Sequence, residues 1–199
     1  MTNSVWTVLV VTACVSGPDP SELDVRASDV TIRTWDSGVT DNLSSWKSLD
    51  CDTTYGPDGL LVGLRAFQDL GGANNFIAKL DGRCRAHGDS ETSEIYAAPH
   101  VPTGAWTDAA AAAFVSQVEF EMLNLKRTVQ ALRFEQMDAA SGAVSSTPWV
   151  GATSDPLVGP IVALACPAGD AVTALALRYD TSTGAIRTVR VTCRPLPRE

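Results

Sequence analysis

The sequence is poor in metal-binding and nucleotide-binding signals. It has only two histidines, His87 and His100, in 199 residues, and none of its five cysteines forms a Cys-x-x-Cys pair. Zinc sites need clustered Cys and His ligands, so a metal centre is not expected. Neither a P-loop nor a Gly-x-Gly-x-x-Gly motif occurs, and these motifs carry phosphate and dinucleotide binding. We therefore expect no metal, no cofactor and no nucleotide.

Positive charge is also scarce. Lys and Arg number 15 against 23 Asp and Glu, which gives a formal net charge of -8, and no dense basic run is present. Nucleic-acid binding depends largely on basic side chains that neutralise phosphates, so we expect no nucleic-acid partner. Neither histidine lies near a Gly-x-Ser-x-Gly sequence. The nucleophile motif of many Ser-His-Asp hydrolases is therefore not found beside them.

A transmembrane-length apolar run is also missing, and the N-terminal residues 5–13 are mostly apolar and end in Val11-Thr12-Ala13-Cys14. This tetrapeptide resembles a bacterial lipobox, and the run is too short for a bilayer span of about 20 residues. It predicts a signal peptide over residues 1–13, lipidation of Cys14 and a tether over residues 14–25. Residues 1–4 lack the positive charge usual in a signal, which leaves open an alternative in which this segment is a buried strand.

The remaining four cysteines bracket two similar segments. In each segment a strand pattern, a turn and a second strand pattern lie between a first and a second cysteine, and Arg follows the second one. The segments predict repeats near 46–85 and 166–196. A degenerate copy without cysteines, near 107–151, shares the turn sequence Asp-x-x-(Ser/Thr)-Gly-Ala. Four cysteines allow three pairings, and the repeats favour the local disulfides Cys51–Cys84 and Cys166–Cys193. Disulfides persist in oxidising compartments, so we expect an exported protein.

Apolar and polar residues alternate along most of the chain. The run from Phe76 to Cys84 has a period of two, as expected for half-buried strands. Short strands with turn signals between them predict one antiparallel all-β domain over residues 26–199. Thr107-Asp108 followed by five alanines predicts one short helix near 108–116.

The pattern Cys-Pro-x-Gly, strand, turn, strand, Cys-Arg-Pro-Leu resembles the repeats of the vitelline membrane outer layer protein family. The resemblance covers residues 46–85 and 166–196, and 107–151 only poorly. It implies a β-prism, in which three sheets surround a pseudo-threefold axis, and carbohydrate handling at a surface. A two-sheet sandwich built from the same hairpins is the alternative. No sugar-binding motif carries over residue by residue.

Two tryptophans are the candidate ligand-binding residues. Trp106 and Trp149 lie in segments rich in Gly, Pro and Thr, where an exposed indole could stack on a sugar ring. Trp46 is five residues from Cys51, so we expect it to pack on the disulfide. Arg190 and Arg194 alternate with inward-facing residues, so they are expected on a solvated face, and contact with an acidic glycan or a partner is the alternative.

Three glutamates, Glu119, Glu121 and Glu135, form the densest carboxylate group. Paired carboxylates suit glycosidase chemistry, but the two on the first strand alternate with apolar residues, which is typical of a solvent face. Catalysis is therefore the least expected function.

These patterns together predict a surface-anchored lipoprotein of the bacterial cell envelope, or a secreted protein. We expect a binding module for carbohydrate or an envelope polymer, held to the membrane through its lipid anchor. The alternative is a structural or protein-interaction lipoprotein without a small-molecule site, whose partner is an envelope protein.

Overall fold

The computed structural model describes residues 22–27, 30–38, 41–69, 76–96, 105–123, 128–151 and 158–196. The predicted signal peptide and Cys14 lie outside the described residues. The first described strand begins at Glu22, so residues 22–25 of the predicted tether are part of a strand.

The described residues form fourteen β-strands and one four-residue helix. The strands are β1 (Glu22–Ala27), β2 (Val30–Asp36), β3 (Lys47–Asp50), β4 (Gly59–Asp69), β5 (Phe76–Ala86), β6 (Ser93–Tyr96), β7 (Thr107–Asp108), β8 (Ala113–Leu123), β9 (Thr128–Asp138), β10 (Val144–Ser146), β11 (Val150–Gly151), β12 (Val158–Ala165), β13 (Asp170–Tyr179) and β14 (Ile186–Pro195). The helix, α1 (Asp52–Tyr55), is followed by a 3-10 turn over Gly56–Asp58.

The strands form three antiparallel sheets. Sheet I has the order β1-β2-β14-β13-β3, sheet II the order β6-β5-β4-β7, and sheet III the order β10-β9-β8-β12 with β11 also paired to β9. Each sheet is centred on one long hairpin: β13–β14, β4–β5 or β8–β9. The expected all-β, antiparallel β-prism architecture is confirmed, and the two-sheet sandwich is not formed.

One core joins the three sheets. It contains fully buried residues from each of them, such as Leu175 of sheet I, Leu64 of sheet II and Phe120 of sheet III. Because side chains alternate along a strand, the residues between these core positions point away from the core. Each such core residue contributes about 1.5–3 kcal/mol through burial, so the core determines which residues of each sheet form its outer face.

Both expected disulfides are present, and each connects two sheets. Cys51 directly follows β3 of sheet I and bonds Cys84 in β5 of sheet II. Cys166 directly follows β12 of sheet III and bonds Cys193 in β14 of sheet I. Loops of this length predict about 3–4 kcal/mol of stabilisation from each bridge. The disulfides therefore hold the sheets together as well as bracketing the hairpins.

The helix predicted near 108–116 is wrong. The alanine run forms a turn, and β8 begins at Ala113. The Arg85 guanidinium donates hydrogen bonds to the carbonyls of Ala111 and Ala113, the latter at 2.7 Å, and the Ala110 N–H donates to Gln136 Oε1 at 2.7 Å. Tertiary partners thus occupy backbone groups that a helix would use, and this outweighs the weak intrinsic preference of alanine.

The turn sequence shared by two of the repeats forms the same structure twice. Asp138 and Asp180 each accept N–H groups from the residues two and three positions later. Gly142 and Gly184 follow with positive φ angles of 67° and 76°, which favour glycine. In sheet III this turn joins β9 to β10, whereas in sheet I it joins β13 to β14, so the motif is a local unit of turn formation.

Candidate functional site: tryptophan-arginine clusters on the outer faces

Every sheet of the prism carries a tryptophan stacked on arginine at its outer face. Arginine carbons lie within about 6 Å of the indole centroids, a distance typical of cation–π interaction. The pairs are Arg83–Trp106 at 4.1 Å and Arg65–Trp106 at 4.5 Å in sheet II, Arg133–Trp149 at 4.7 Å in sheet III, and Arg190–Trp46 at 4.2 Å and Arg178–Trp46 at 5.7 Å in sheet I.

The cluster on sheet II is assembled by strand register. Trp106 immediately precedes Thr107, which pairs with Leu64, so the indole reaches the neighbouring strand at Arg65. Two outward-facing rows cross the sheet here: Arg65, Asp81 and Tyr96 in one, and Asp108, Gly63, Arg83 and Glu94 in the other. We call these outward residues together with Trp106 the Trp106 cluster.

The charges of the Trp106 cluster are paired. Arg65 contacts Asp81 at 2.8 Å, and Arg83 contacts Glu94 at 3.2 Å and Asp108 at 2.6 Å. Three carboxylates therefore face two guanidinium groups, and the cluster carries a small net negative charge. Pairing of this kind holds the side chains in fixed positions, so little side-chain entropy would be lost when a ligand binds.

Tyr96 forms the exposed edge of the cluster, with 43% of its surface accessible. Its hydroxyl donates a hydrogen bond to Glu94 Oε2 at 2.6 Å. This bond lowers the pKa of the Glu94 carboxyl below its usual value and raises the pKa of the Tyr96 hydroxyl. The phenol is thus oriented by a charged partner while its ring stays open to solvent.

Gly63 is needed for the Asp108–Arg83 contact. A Cβ added at this position would lie 2.2 Å from Asp108 Oδ1 and 3.3 Å from the Arg83 Cβ. The missing side chain therefore leaves the space through which the Asp108 carboxylate reaches Arg83.

The Trp149 face of sheet III has a different composition. Glu119 accepts hydrogen bonds from Arg133 and, at 2.7 Å, from Gln117. Glu121, one outward row further, is buried, and its Oε2 has no hydrogen-bond partner in the described part of the chain. Burial raises the pKa of the Glu121 carboxyl.

The prediction that these glutamates lie on a solvent face is wrong for Glu119 and Glu121, which are buried and each only 7% exposed. Glu135 lies opposite Gln117, not beside Glu121. The Arg133 guanidinium binds the Glu119 carboxylate, which leaves the three glutamates without the open, opposed pair of carboxyls that glycoside hydrolysis uses. Their arrangement favours a structural role.

The prediction that Trp46 packs on the disulfide is wrong. Its side chain is 36% exposed and lies over Arg190 on the outer face of sheet I. Arg194, expected to be solvated, forms a bidentate pair with Asp52 and also donates to the Pro57 carbonyl at 2.8 Å. The Arg194–Asp52 pair connects α1 to β14. Among the described residues, Arg190 has no carboxylate partner of this kind.

A cavity of about 300 Å³ lies where the end of β5 meets the start of β8. Arg85, His87 and Asp89 line it together with the apolar side chains of Leu60 and Phe114. The Arg85 N–H groups donate to backbone carbonyls at its wall, and burial lowers the pKa of this guanidinium. His100 lies outside the described residues, and in the described ranges no group of His, Cys, Asp and Glu could hold a metal ion.

The sequence suggested Trp106 and Trp149 as candidate ligand-binding residues but did not suggest the residues that surround them in the structure. The outward positions of Asp81 and Arg83 were visible from the alternation along β5. The pairing of short strands β6 and β7 with that hairpin was not visible, because two- and four-residue strands give little periodicity. Within the part of the chain that the structure describes, no helix has the length and apolar character needed to cross a membrane.

No protein-family model matches the sequence, and no curated protein is significantly similar to it. Solved structures do share the fold. A prostate-specific WGA16 glycoprotein lectin superposes with a TM-score of 0.51 at 15% identity, over 80% of this chain and 96% of the lectin. The agglutinin of Calystegia sepium superposes with a TM-score of 0.50 at 12% identity, over 89% and 99% of the two chains.

The mosquito-larvicidal Cry4Aa toxin of Bacillus thuringiensis also matches, with a TM-score of 0.50 at 10% identity. Here 68% of this chain is covered but only 27% of the toxin, so the chain spans about a quarter of that protein. At these identities the likeness concerns the fold alone. The chain therefore has the three-sheet β-prism fold that these lectins and a segment of this toxin share.

Proposed function

We propose that the protein is an exported, non-enzymatic carbohydrate-binding module whose sugar site is the Trp106 cluster of sheet II. The observation that carries this proposal is the combination of an exposed tyrosine ring, a partly buried indole and three carboxylates on one rigid face. Aromatic faces match the C–H face of a sugar ring, and carboxylates accept hydrogen bonds from its hydroxyl groups.

The charge of the cluster selects the class of sugar. Its two arginines are each paired with a carboxylate, so the cluster offers an acidic saccharide no free positive charge, whereas a neutral sugar needs none. The β-prism lectins with the same fold, and the resemblance to the vitelline membrane outer layer family, support a saccharide ligand. The two disulfides support an exported location.

A glycan array of neutral oligosaccharides probed with the full chain tests the proposal. The best ligand is then titrated calorimetrically against Trp106→Ala and Tyr96→Ala. We expect each substitution to weaken binding about tenfold, which corresponds to 1.4 kcal/mol, whereas Trp106→Phe retains part of the affinity.

The matched control is Val144→Ala, which removes an exposed apolar side chain on sheet III. It should bind like the wild type. The proposal is overturned if no neutral glycan binds at millimolar concentration, or if the folded Trp106→Ala and Tyr96→Ala variants bind as tightly as the wild type. Failure on the array would favour the alternative of a structural or protein-interaction lipoprotein.

The proposal includes a lipid anchor at Cys14, which the lipobox-like sequence supports. Replacement of Cys14 by Ser should move the protein from the membrane fraction to the soluble fraction of a bacterial host, since the thioether-linked lipid can no longer form. Unchanged fractionation of the Cys14→Ser variant would contradict the anchor and leave the sugar site untouched.

A further inference from the structure

The outer face of sheet I repeats the framework of the Trp106 cluster with different charges. Trp46 immediately precedes Lys47, which pairs with Leu177, so its indole reaches the neighbouring strand at Arg178. The next outward row places Ser48, Ala176, Arg190 and Thr34 side by side across four strands. Both sheets thus have an indole, an arginine beside it and a second arginine one row further on.

The two arginines of sheet I have no carboxylate partner in the described residues. Arg178 donates its Nε hydrogen to the Ser44 carbonyl at 3.0 Å, and the buried Nε of Arg190 has no acceptor within the part of the chain that the structure describes. Asp36, at the end of the Arg178 row, instead accepts hydrogen bonds from the Thr188 hydroxyl at 3.2 Å and the Gly38 N–H at 2.7 Å. The face therefore holds two positive charges beside the indole, while the Asp36 carboxylate lies two strands from Arg178 and is bonded to other donors.

In the other two clusters each arginine contacts a carboxylate. On sheet II the arginines contact Asp81, Glu94 and Asp108, and on sheet III Arg133 contacts Glu119. Arg178 and Arg190 lie 5.7 Å and 4.2 Å from one indole centroid, so an anion bound beside this indole is attracted by both charges. The guanidinium groups also offer N–H donors in a geometry that suits oxyanions.

We propose that the outer face of sheet I, with Trp46, Arg178 and Arg190, binds an acidic saccharide through its carboxylate or sulfate groups. Trp46 is exposed enough to stack on a sugar ring, Thr34 lies opposite Arg190, and Ser48 lies in the same row on the far side of Ala176. An acidic peptide would use the charges but not the indole face, so the observations favour a saccharide. The inference rests on the proposed saccharide-binding function but concerns a separate face with the opposite charge.

Because the whole chain is negatively charged, general electrostatic attraction does not explain binding of an acidic saccharide. At -8 the protein repels polyanions in general, so binding of an acidic saccharide must come from a local positive region. The attraction falls with salt, because exposed charges are screened.

The test is calorimetric titration of the full chain with three tetrasaccharides at low salt: oligogalacturonate, which carries carboxylates, a heparin fragment, which carries sulfates, and neutral cellotetraose. We expect one or both acidic ligands to bind and cellotetraose to be at least tenfold weaker on this face. Binding of one acidic ligand alone identifies whether carboxylate or sulfate is the preferred anion.

Variants place the binding on sheet I. Arg190→Gln should weaken acidic binding at least tenfold, whereas Lys79→Gln, an equal charge change on sheet II, should not alter it. Thr34→Glu puts a carboxylate opposite Arg190, as Glu94 lies opposite Arg83, and should also weaken binding tenfold or more. The isosteric control Thr34→Gln should bind like the wild type, which separates charge from shape.

Trp46 distinguishes a saccharide from an acidic peptide. Trp46→Ala should weaken tetrasaccharide binding several-fold, with partial rescue by Trp46→Phe, and hexaglutamate should bind much more weakly than the acidic tetrasaccharides. The proposal is overturned if neither acidic tetrasaccharide binds, if Arg190→Gln and Thr34→Glu leave binding unchanged, or if hexaglutamate binds equally well and Trp46→Ala has no effect. Loss of neutral-glycan binding in Trp106→Ala would leave this result unaffected.

Discussion

The outer faces of sheets I and II have one framework and two charge patterns. In each, a tryptophan ahead of a short edge strand lies over two arginines from a long hairpin, and a small residue, Ala176 or Gly63, lies between the edge strand and the second arginine. The partners differ. Sheet II places Asp81, Asp108 and Glu94 where sheet I has Thr188, Ser48 and Thr34.

The two frameworks are not copied position by position from the repeat. Asp81, opposite Arg65, is three residues before the disulfide cysteine of its hairpin, whereas Thr188, opposite Arg178, is five residues before the cysteine of its own. The arrangement is therefore displaced by two residues, which preserves the outward direction of the side chains. The comparison shows that strand period and edge pairing build the aromatic-arginine framework, and three neighbouring positions set its charge.

The two faces should differ most in the loss of unfolding free energy when the residue opposite Arg65 on sheet II, or opposite Arg178 on sheet I, is replaced. Asp81→Asn leaves Arg65 with only the more distant Glu94 carboxylate, at 4.0 Å, and the Arg65 and Asp81 side chains are largely buried, at 10% and 13% exposure. Because breaking a buried pair from one side leaves a poorly compensated charge, we expect a loss of about 3 kcal/mol in the free energy of unfolding.

The matched change on sheet I is Thr188→Val, which removes only the hydroxyl bonded to Asp36. It should cost about 1 kcal/mol. Urea denaturation of both variants measures the comparison. Equal losses would show that the sheet II carboxylates do not stabilise their arginines, and the charge argument would then fail on both faces.

A smaller loss of stability is expected when the small residue beside the edge strand is changed, which is Gly63 on sheet II and Ala176 on sheet I. In Gly63→Ala the new methyl group displaces the Asp108 carboxylate, which would otherwise lie 2.2 Å away. Since this contact lies near the surface, we expect a loss of about 1 kcal/mol together with loss of the Asp108–Arg83 pair.

The reciprocal change, Ala176→Gly, should cost about 0.5–1 kcal/mol through backbone entropy alone. Crystal structures of the two variants decide the point, because only Gly63→Ala should show a displaced carboxylate. An Asp108 side chain that remains on Arg83 in Gly63→Ala would contradict the role given to this glycine.

Local patterns in the sequence predicted the local structure well. The alternation from Phe76 to Cys84 predicted β5, and the repeats predicted the disulfides Cys51–Cys84 and Cys166–Cys193, all of which are confirmed. These features depend on neighbours in the chain or on residues about 30 positions apart, so one sequence contains the information.

The errors share a physical cause. The alanines near Ala111 were predicted as a helix because their local preference is helical, yet the Arg85 side chain and Gln136 occupy their backbone groups. Trp46 was placed on a disulfide by its distance along the chain, but edge pairing with β13 puts it over Arg190. In both cases a distant residue decides the outcome.

The sequence by itself determined the strand period, the turn chemistry of Asp138 and Asp180 and the cysteine pairs, because each depends on the spacing of residues along the chain. Only the tertiary structure decided which outward residues meet across strands. It therefore decided that Trp106 lies among paired charges, whereas Trp46 lies over arginines that have no carboxylate partner among the described residues. Register between short edge strands and long hairpins is set by burial of the shared core, and a one-residue shift would turn every outward side chain inward.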